Sequence, residues 1–152
     1  MTQQEQKATL NSYTSKIRIE SLEGGGKHVF VTCNINNATA LMLIDTGCSN
    51  TVFDSGSQLF SDIRLREVKD TNRNFSLNAS IDDVKVGKIK DFAIGKFSAS
   101  FNNAVFISLE NINTLYESII GCRIVGIIGS DFLKKHKAVI DFGSGKLTLK
   151  GK

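Results

Sequence analysis

Residues 41–53 read Leu41-Met42-Leu43-Ile44-Asp45-Thr46-Gly47-Cys48-Ser49-Asn50-Thr51-Val52-Phe53. The four apolar residues that open this segment predict a buried strand, and the strand ends on an acid. A carboxylate in that position is costly to desolvate unless it is paired or used in chemistry. Thr46 offers a hydroxyl for hydrogen bonding, and Gly47 allows a tight turn and the close approach of another backbone. The segment therefore predicts a loop that holds Asp45 fixed at the end of a strand.

The residues before Asp45 have the pattern of a β-hairpin. Residues 28–35 favour a strand, Asn36 and Asn37 tolerate the positive φ angles of a tight turn, and residues 39–44 form the return strand. A rigid sheet can then hold the acid. Asp54 opens a similar Asp-Ser-Gly triplet after only a short apolar pair, so we interpret it as a turn or helix N-cap residue.

The rest of the chain predicts a mostly β, single domain. Short alternating segments at 84–89, 92–97, 98–101 and 104–107 read as strands with glycine breaks. Residues 111–119 form a looser polar segment with no regular pattern. Residues 1–14 are polar and uneven, which predicts a flexible N-terminal arm, and residues 15–152 form the domain.

A second apolar run, residues 124–133, contains Ile127, Ile128, Gly129, Ser130 and Asp131. Its glycines bracket a short strand, and Ser130 or Asp131 is a good N-cap for a helix that continues to Lys137. Residues 138–142 and 146–149, joined by Gly143-Ser144-Gly145, predict a closing hairpin.

Composition excludes several functional classes. The net charge is +4 and the pI is about 9.0, but the lysines are spread between apolar residues and form no basic cluster with aromatics, so no nucleic-acid partner is expected. No apolar run is long enough for a membrane span, and no membrane association is expected. Cys33, Cys48 and Cys122 show no metal-ligand or disulfide spacing, and neither His28 nor His136 has a ligand spacing. We expect no metal or cofactor and, without an apolar signal region, favour a cytoplasmic location.

Together, Asp45-Thr46-Gly47 after an apolar strand and the later Ile127-Ile128-Gly129-Ser130-Asp131 resemble the two motifs of the retroviral-type (retropepsin-like) aspartic proteases. The resemblance extends from about Lys16 to Leu149. It implies a single-domain closed or partly open β-barrel of the retropepsin type with one short C-terminal helix.

The resemblance also implies an aspartic endopeptidase. Asp45 would be catalytic, Thr46 would brace the loop, Gly47 would keep the backbones close, and Cys48 and Ser49 would complete the loop. This mechanism needs two carboxylates, so the second would be Asp45 of another copy in a homodimer that cleaves a peptide or protein substrate. The flap over the substrate is expected at Leu77, Asn78, Ala79, Ser80 and Ile81. The helix-start motif at 127–131 would pack behind the active loop.

Two departures from the family pattern leave alternatives open. Cys48 stands where the family usually has Ala or Ser, and no glycine occurs between Gly56 and Gly87, where a glycine-rich flap is expected. The fold could therefore serve as a catalytically weak or inactive dimerisation or peptide-binding module. A nucleic-acid-binding β-barrel rests on the pI alone and would require salt-dependent binding.

Overall fold

The computed structural model describes residues 9–68 and 84–152. The strands and helices in chain order are β1 Asn11–Lys16, β2 Arg18–Ser21, β3 Lys27–Ile35, β4 Ala38–Ile44, β5 Val52–Asp54, β6 Arg66–Glu67, β7 Lys85–Ile94, β8 Phe97–Ile107, α1 Glu110–Ile120, β9 Gly126–Ile128, α2 Ser130–Lys135, β10 Val139–Asp141 and β11 Lys146–Gly151. A short 3-10 helix spans Gln58–Phe60.

Six strands close into a barrel. The main sheet has the order β2-β3-β4-β9-β5-β8-β7-β6, and β3 also pairs with β7, which joins the ends of the six strands β3-β4-β9-β5-β8-β7. A second sheet, in the order β1-β11-β10, is antiparallel throughout. The predicted mostly β, single-domain barrel is confirmed.

The apolar run before Asp45 is explained by burial on both faces of β4. Met42 and Ile44 join the cluster that fills the barrel, together with Phe53 and Phe106. Leu43 faces the other way and packs in a second cluster with Phe30, Val52, Val105, Ile127 and Tyr116 of α1. Strands covered on both faces lose the apolar-polar alternation and read as continuous apolar runs.

The hairpin that leads to Asp45 is as predicted. Strands β3 and β4 pair antiparallel, and Asn36 and Asn37 make the turn with φ angles of 50° and 66°. The closing hairpin of β10 and β11 is also present. The segments expected at 84–89 and 92–97 are in fact mostly one strand, β7, with irregular register against β8.

The structure corrects the interpretation of residues 111–119. They belong to α1, whose buried side includes Asn113 and Tyr116 and which ends on Gly121 in the left-handed conformation, with φ 67°. A buried asparagine on the inward face hides the apolar periodicity, so the segment reads as polar. The C-terminal helix is also shorter than expected: α2 ends at Lys135, and Lys137 has a positive φ of 47°.

The N-terminal arm expected over residues 1–14 does not extend that far. Residues 11–14 belong to β1, which pairs along its length with β11. Alternate side chains of β1 face the core, and the ring of Tyr13 meets Phe97 edge-on at 5.9 Å between ring centroids. Backbone pairing and this contact make β1 part of the domain.

Candidate active site

Asp45 lies at the end of β4, beside the end of β9. These two strands are parallel neighbours, with Ile44 opposite Ile128. The N–H of Asp45 donates to the carbonyl oxygen of Ile128 at 3.0 Å. The chain then turns through the loop 45–51 and returns as β5, which pairs with β9 on its other side. Both ends of the loop are therefore anchored to one central strand.

Hydrogen bonds inside the loop orient the Asp45 carboxylate. The N–H of Gly47 donates to Asp45 Oδ1 at 2.9 Å, and the N–H of Cys48 donates to the Asp45 carbonyl at 3.1 Å. Asp45 is partly exposed, while Thr46, Gly47 and Ser49 are exposed. The carboxylate is thus held in one direction but stays accessible to a ligand or to another chain.

Cys48 points away from solvent. Its side chain is 5% exposed, and its Sγ donates to the Asn50 carbonyl at 3.1 Å. Burial raises the pKa of Cys48, so the thiol keeps its proton. Cys48 supports the loop from below and does not enter the cleft as a nucleophile.

The helix-start motif lies directly behind this loop. Ile127 and Ile128 are buried in β9, and the N–H of Ser130 donates to the Cys48 carbonyl at 2.8 Å. A Cβ atom on Gly129 would lie 2.7 Å from both the Cys48 carbonyl oxygen and the Asn50 carbonyl carbon. Only glycine permits this approach of the two backbones.

Thr51 and Asp131 tie the loop to α2. Asp131 Oδ1 accepts from the N–H and the hydroxyl of Thr51 at 2.9 and 2.8 Å, and also from the N–H of Phe132. The Thr51 hydroxyl in turn accepts from the N–H of Gly129 at 3.0 Å. Sequence reasoning singled out Asp131 but missed Thr51, since a threonine at the start of a strand is ordinary.

Asp45 opens onto a cleft of about 320 Å³. Its walls include Thr46, the basic residues Lys27 and His28, and an apolar group formed by Val29, Leu43, Ile44, Ile140 and Phe142. No local pattern predicts that His28 belongs here, because this residue lies near the start of β3, at the opposite end of the hairpin from its turn. The antiparallel register places Val29 opposite Ile44 and so brings His28 beside the acid. The expected flap residues, Leu77, Asn78, Ala79, Ser80 and Ile81, lie outside the described residues.

Tyr116 of α1 is buried against His28, a residue of the cleft wall. Its hydroxyl lies 2.7 Å from His28 Nδ1, and its ring packs edge-on against Phe30. Burial, together with the negative charge of Asp45, raises the pKa of Tyr116. The helix that sequence reasoning missed therefore contributes directly to the surroundings of the acid.

Asp54, in the second Asp-x-Gly triplet, has a different environment. It is 4% exposed and accepts from the N–H of Gly56, as Asp45 does from Gly47. It also accepts from the N–H of Leu109 and from the side-chain amide of Asn113. Asp54 is a turn residue, as expected, and it additionally fixes the start of α1, so its oxygens are occupied by structural contacts.

At this cleft the described residues offer one accessible carboxylate, that of Asp45. Among them, no three His, Cys, Asp or Glu side chains are grouped to hold a metal ion. No helix in the described part of the chain has the length and apolar character to cross a bilayer. A single carboxylate can bind a proton or accept a hydrogen bond, whereas acid–base cleavage of an amide needs a second group.

Comparisons with known proteins identify the family. A family model described as aspartyl protease matches residues 31–132. The fold is similar to that of a retropepsin-like aspartic protease from Rickettsia conorii, with 18% identity, 95% coverage of both chains and a TM-score of 0.49. It is also similar to the retroviral protease-like domain of Ddi1 from Leishmania major, with 19% identity over 79% of this chain and 86% of that chain and a TM-score of 0.49. No curated protein sequence matches the chain.

The matched segment spans more than half of the chain and contains both sequence motifs, the loop with Asp45 and the helix start with Gly129. The resemblance inferred from these motifs is therefore confirmed at the level of the family. The chain belongs to the aspartyl protease family.

Proposed function

We propose that this protein is an aspartic endopeptidase that acts as a homodimer and uses Asp45 from each copy. The observation that carries the proposal is the contrast between Asp45 and Asp54, the acids of the Asp-Thr-Gly and Asp-Ser-Gly triplets. Asp45 is oriented by Gly47 yet accessible at a cleft, whereas Asp54 is buried and engaged by α1. One copy thus supplies one reactive carboxylate, and the family chemistry needs two.

In the proposed reaction the two Asp45 carboxyl groups share one proton and hold a water molecule between them. Like charges about 3 Å apart cannot both ionise, so the pair titrates as a unit. The ionised carboxylate takes a proton from the water while the water oxygen attacks the carbonyl carbon of the substrate. The protonated carboxyl group donates its proton to the carbonyl oxygen. Collapse of the tetrahedral intermediate breaks the C–N bond. The carboxyl group that took the water proton donates it to the amine nitrogen, and one hydroxyl of the intermediate returns its proton to the other carboxylate, so the pair again holds one proton.

The surface beside the cleft supports the homodimer. Val139 and Phe142 are each 57% exposed, although both are large and apolar. Val139 lies on β10, an edge strand of the three-stranded sheet, and Phe142 also borders the Asp45 cleft. Exposed apolar side chains on an open strand edge favour association with another chain. A second copy docked there would bring its own exposed Thr46 and Gly47 towards the cleft.

The test is Asp45→Asn, which keeps the shape of the side chain and removes its ability to ionise. We expect peptide cleavage at acidic pH to fall at least about a thousandfold, a loss of the order seen when groups that act as one catalytic unit are removed. Folding and dimerisation should persist. Asp62→Asn, at an exposed position outside the cleft, is the matched control and should cleave like the wild type.

Retained cleavage by the Asp45→Asn chain would contradict the proposal. Peptide binding without turnover from pH 4 to 7, in a wild-type preparation verified as dimeric, would instead identify a peptide-binding module of the same fold. Statine-type transition-state analogues should inhibit the wild type, because their hydroxyl occupies the position of the attacking water.

A further inference from the structure

We propose that His28, oriented by Tyr116, is a specificity-determining residue that selects substrates with an acidic side chain in the Asp45 cleft. The inference rests on the proposed function, because it names the class of peptide that the same site accepts. It starts from three observations: the two basic residues in the cleft wall, the hydrogen bond from α1 to one of them, and the apolar character of the rest of the wall.

The hydrogen bond between His28 and Tyr116 determines which nitrogen of the imidazole ring can donate to a ligand. Tyr116 is 2% exposed, and its hydroxyl meets only His28 Nδ1 among the hydrogen bonds of the described residues. A buried phenol that keeps its proton donates it to the available acceptor, which here is Nδ1. In the neutral ring Nε2 then carries the hydrogen, and in the charged ring both Nδ1 and Nε2 carry one.

His28 therefore has Nε2–H left as a donor in either protonation state. The ring is partly exposed and borders the same cleft as Asp45 and Thr46. Its orientation is fixed from one side by the Tyr116 hydroxyl and by the edge-on contact of the two rings, with centroids 5.8 Å apart. A donor held in a fixed direction discriminates better than a mobile one, because binding orders less of the side chain.

The charges in the cleft favour an acidic partner for this donor. Lys27 precedes His28 and also borders the cleft. Its ammonium donates to Ser21 Oγ and retains two further hydrogens. In the proposed dimer the two Asp45 carboxyl groups carry one negative charge together, against one Lys27 ammonium from each copy. A substrate carboxylate would gain a charge-assisted hydrogen bond from Nε2–H and the attraction of Lys27.

The apolar part of the cleft wall explains why the site would select a substrate with one acidic side chain and not with several. The cleft is otherwise lined by the apolar side chains of Val29, Leu43, Ile44, Ile140 and Phe142. These side chains favour apolar substrate residues on either side of the charged one. Additional carboxylates would be desolvated there without a partner. The expected substrate is an apolar peptide with a single Asp or Glu at a fixed distance from the scissile bond.

Matched peptides test this inference by binding alone. The probes are fluorescent apolar decapeptides with a reduced central amide, carrying one Glu at each position in turn, and a second series with Gln at the same positions. We expect the wild-type chain to bind the Glu peptide about tenfold more tightly at one position, as a charge-assisted hydrogen bond would give. This preference should weaken as salt is added.

Two variants assign the preference to His28. His28→Gln retains an acceptor for Tyr116 and removes the imidazole, so the Glu preference should fall severalfold. The double variant His28→Leu with Tyr116→Phe leaves no buried phenol without a partner and keeps only the attraction of Lys27, so its Glu preference should also fall severalfold. Lys88→Gln removes an exposed lysine on β7 that does not border the cleft, and it should keep the wild-type preference.

The outcomes separate this inference from the proposed function. Equal binding of Glu and Gln peptides at every position, or a preference that is undiminished in the double variant, overturns the inference even if unmodified peptides are cleaved. A preference that depends on His28, in a chain that cleaves no unmodified peptide, supports the inference and contradicts the endopeptidase. Failure to bind any peptide contradicts both.

Discussion

Gly129 is the residue on which the active loop depends most directly. A methyl group at this position would lie 2.7 Å from the Cys48 carbonyl oxygen, and that oxygen already accepts from the N–H of Ser130. Both groups belong to backbones, so a Gly129→Ala chain must shift the loop and move Asp45. We expect the free energy of unfolding to fall by about 1–3 kcal/mol and cleavage to fall about a hundredfold. Urea denaturation and peptide hydrolysis measure the two effects.

The matched control for this change is Gly26→Ala. Nothing lies within 4 Å of a Cβ atom built on Gly26, and its φ is not in the left-handed region. The control should match the wild type in both assays. If Gly129→Ala behaves like Gly26→Ala, the close approach behind the loop does not determine the position of Asp45.

Among individual residues, the sequence predicted Asp45 and some of the residues that hold its loop in place. Asp45 was found from an apolar strand that ends on a carboxylate, and Gly129 and Asp131 from the second motif. Thr51 and His28 were not found, because their roles come from contacts 80 residues away, between Thr51 and Asp131, and 88 residues away, between His28 and Tyr116. Neither residue carries a local pattern that distinguishes it from an ordinary strand residue.

Between the two α-helices, α1 is the one that the sequence failed to predict. Its inward face presents Asn113, which is 0% exposed and bonded on both sides to the backbone of Ile124. A polar residue at the centre of an apolar stripe breaks the pattern by which amphipathic helices are recognised. Gly121, the left-handed C-cap, was the available local signal. The strands were easier to predict, because their apolar residues and turns follow local rules.

Asn113 should therefore be the residue that fixes α1 to the barrel. Asn113→Ala would leave three buried groups without their partners: the Ile124 N–H, which donates to Oδ1 at 2.7 Å, the Ile124 carbonyl, which accepts at 3.0 Å, and Asp54 Oδ2 at 3.3 Å. We expect a loss of about 2–4 kcal/mol in the free energy of unfolding, since unsatisfied buried groups bear their full desolvation cost. Urea denaturation measures it.

An exposed asparagine on the same helix gives the control. Asn111→Ala should change the free energy of unfolding by less than about 0.5 kcal/mol, as is usual for surface substitutions. Equal effects of the two substitutions would mean that the Asn113 network does not stabilise α1. If the network fixes the helix, the Asn113→Ala chain should also lose part of the Glu preference, because α1 carries Tyr116.

For the whole molecule, the sequence predicted the fold class, a mostly β barrel. It did not predict which strands pair to close the barrel. The motifs and the strand-rich pattern predicted a mostly β barrel. Closure depends on the pairing of β3 with β7 at Asn34 opposite Ala93, between segments that are far apart in the sequence. Such pairings are set by the summed packing of the core, with Phe53 against Phe92 and Phe101 at its centre. No local residue pattern encodes them.

Assembly is the property of the whole molecule on which the proposed reaction depends. Val139 is 57% exposed on the edge strand β10 and does not border the Asp45 cleft. In a two-fold dimer through this edge, Val139→Lys would place like charges in one interface and bury an ammonium without a partner. We expect the dimer dissociation constant to rise at least about tenfold, measured by analytical ultracentrifugation. Cleavage per chain should fall at low protein concentration and recover as the concentration is raised, since the chemical groups are untouched.

Leu115→Lys, at an exposed apolar position on α1, should change neither the assembly nor the concentration dependence. A Val139→Lys chain that cleaves at the wild-type rate at every concentration would show that the β10 edge is not the interface. A wild-type chain that is monomeric while active would show that the second catalytic group lies within the same copy as Asp45.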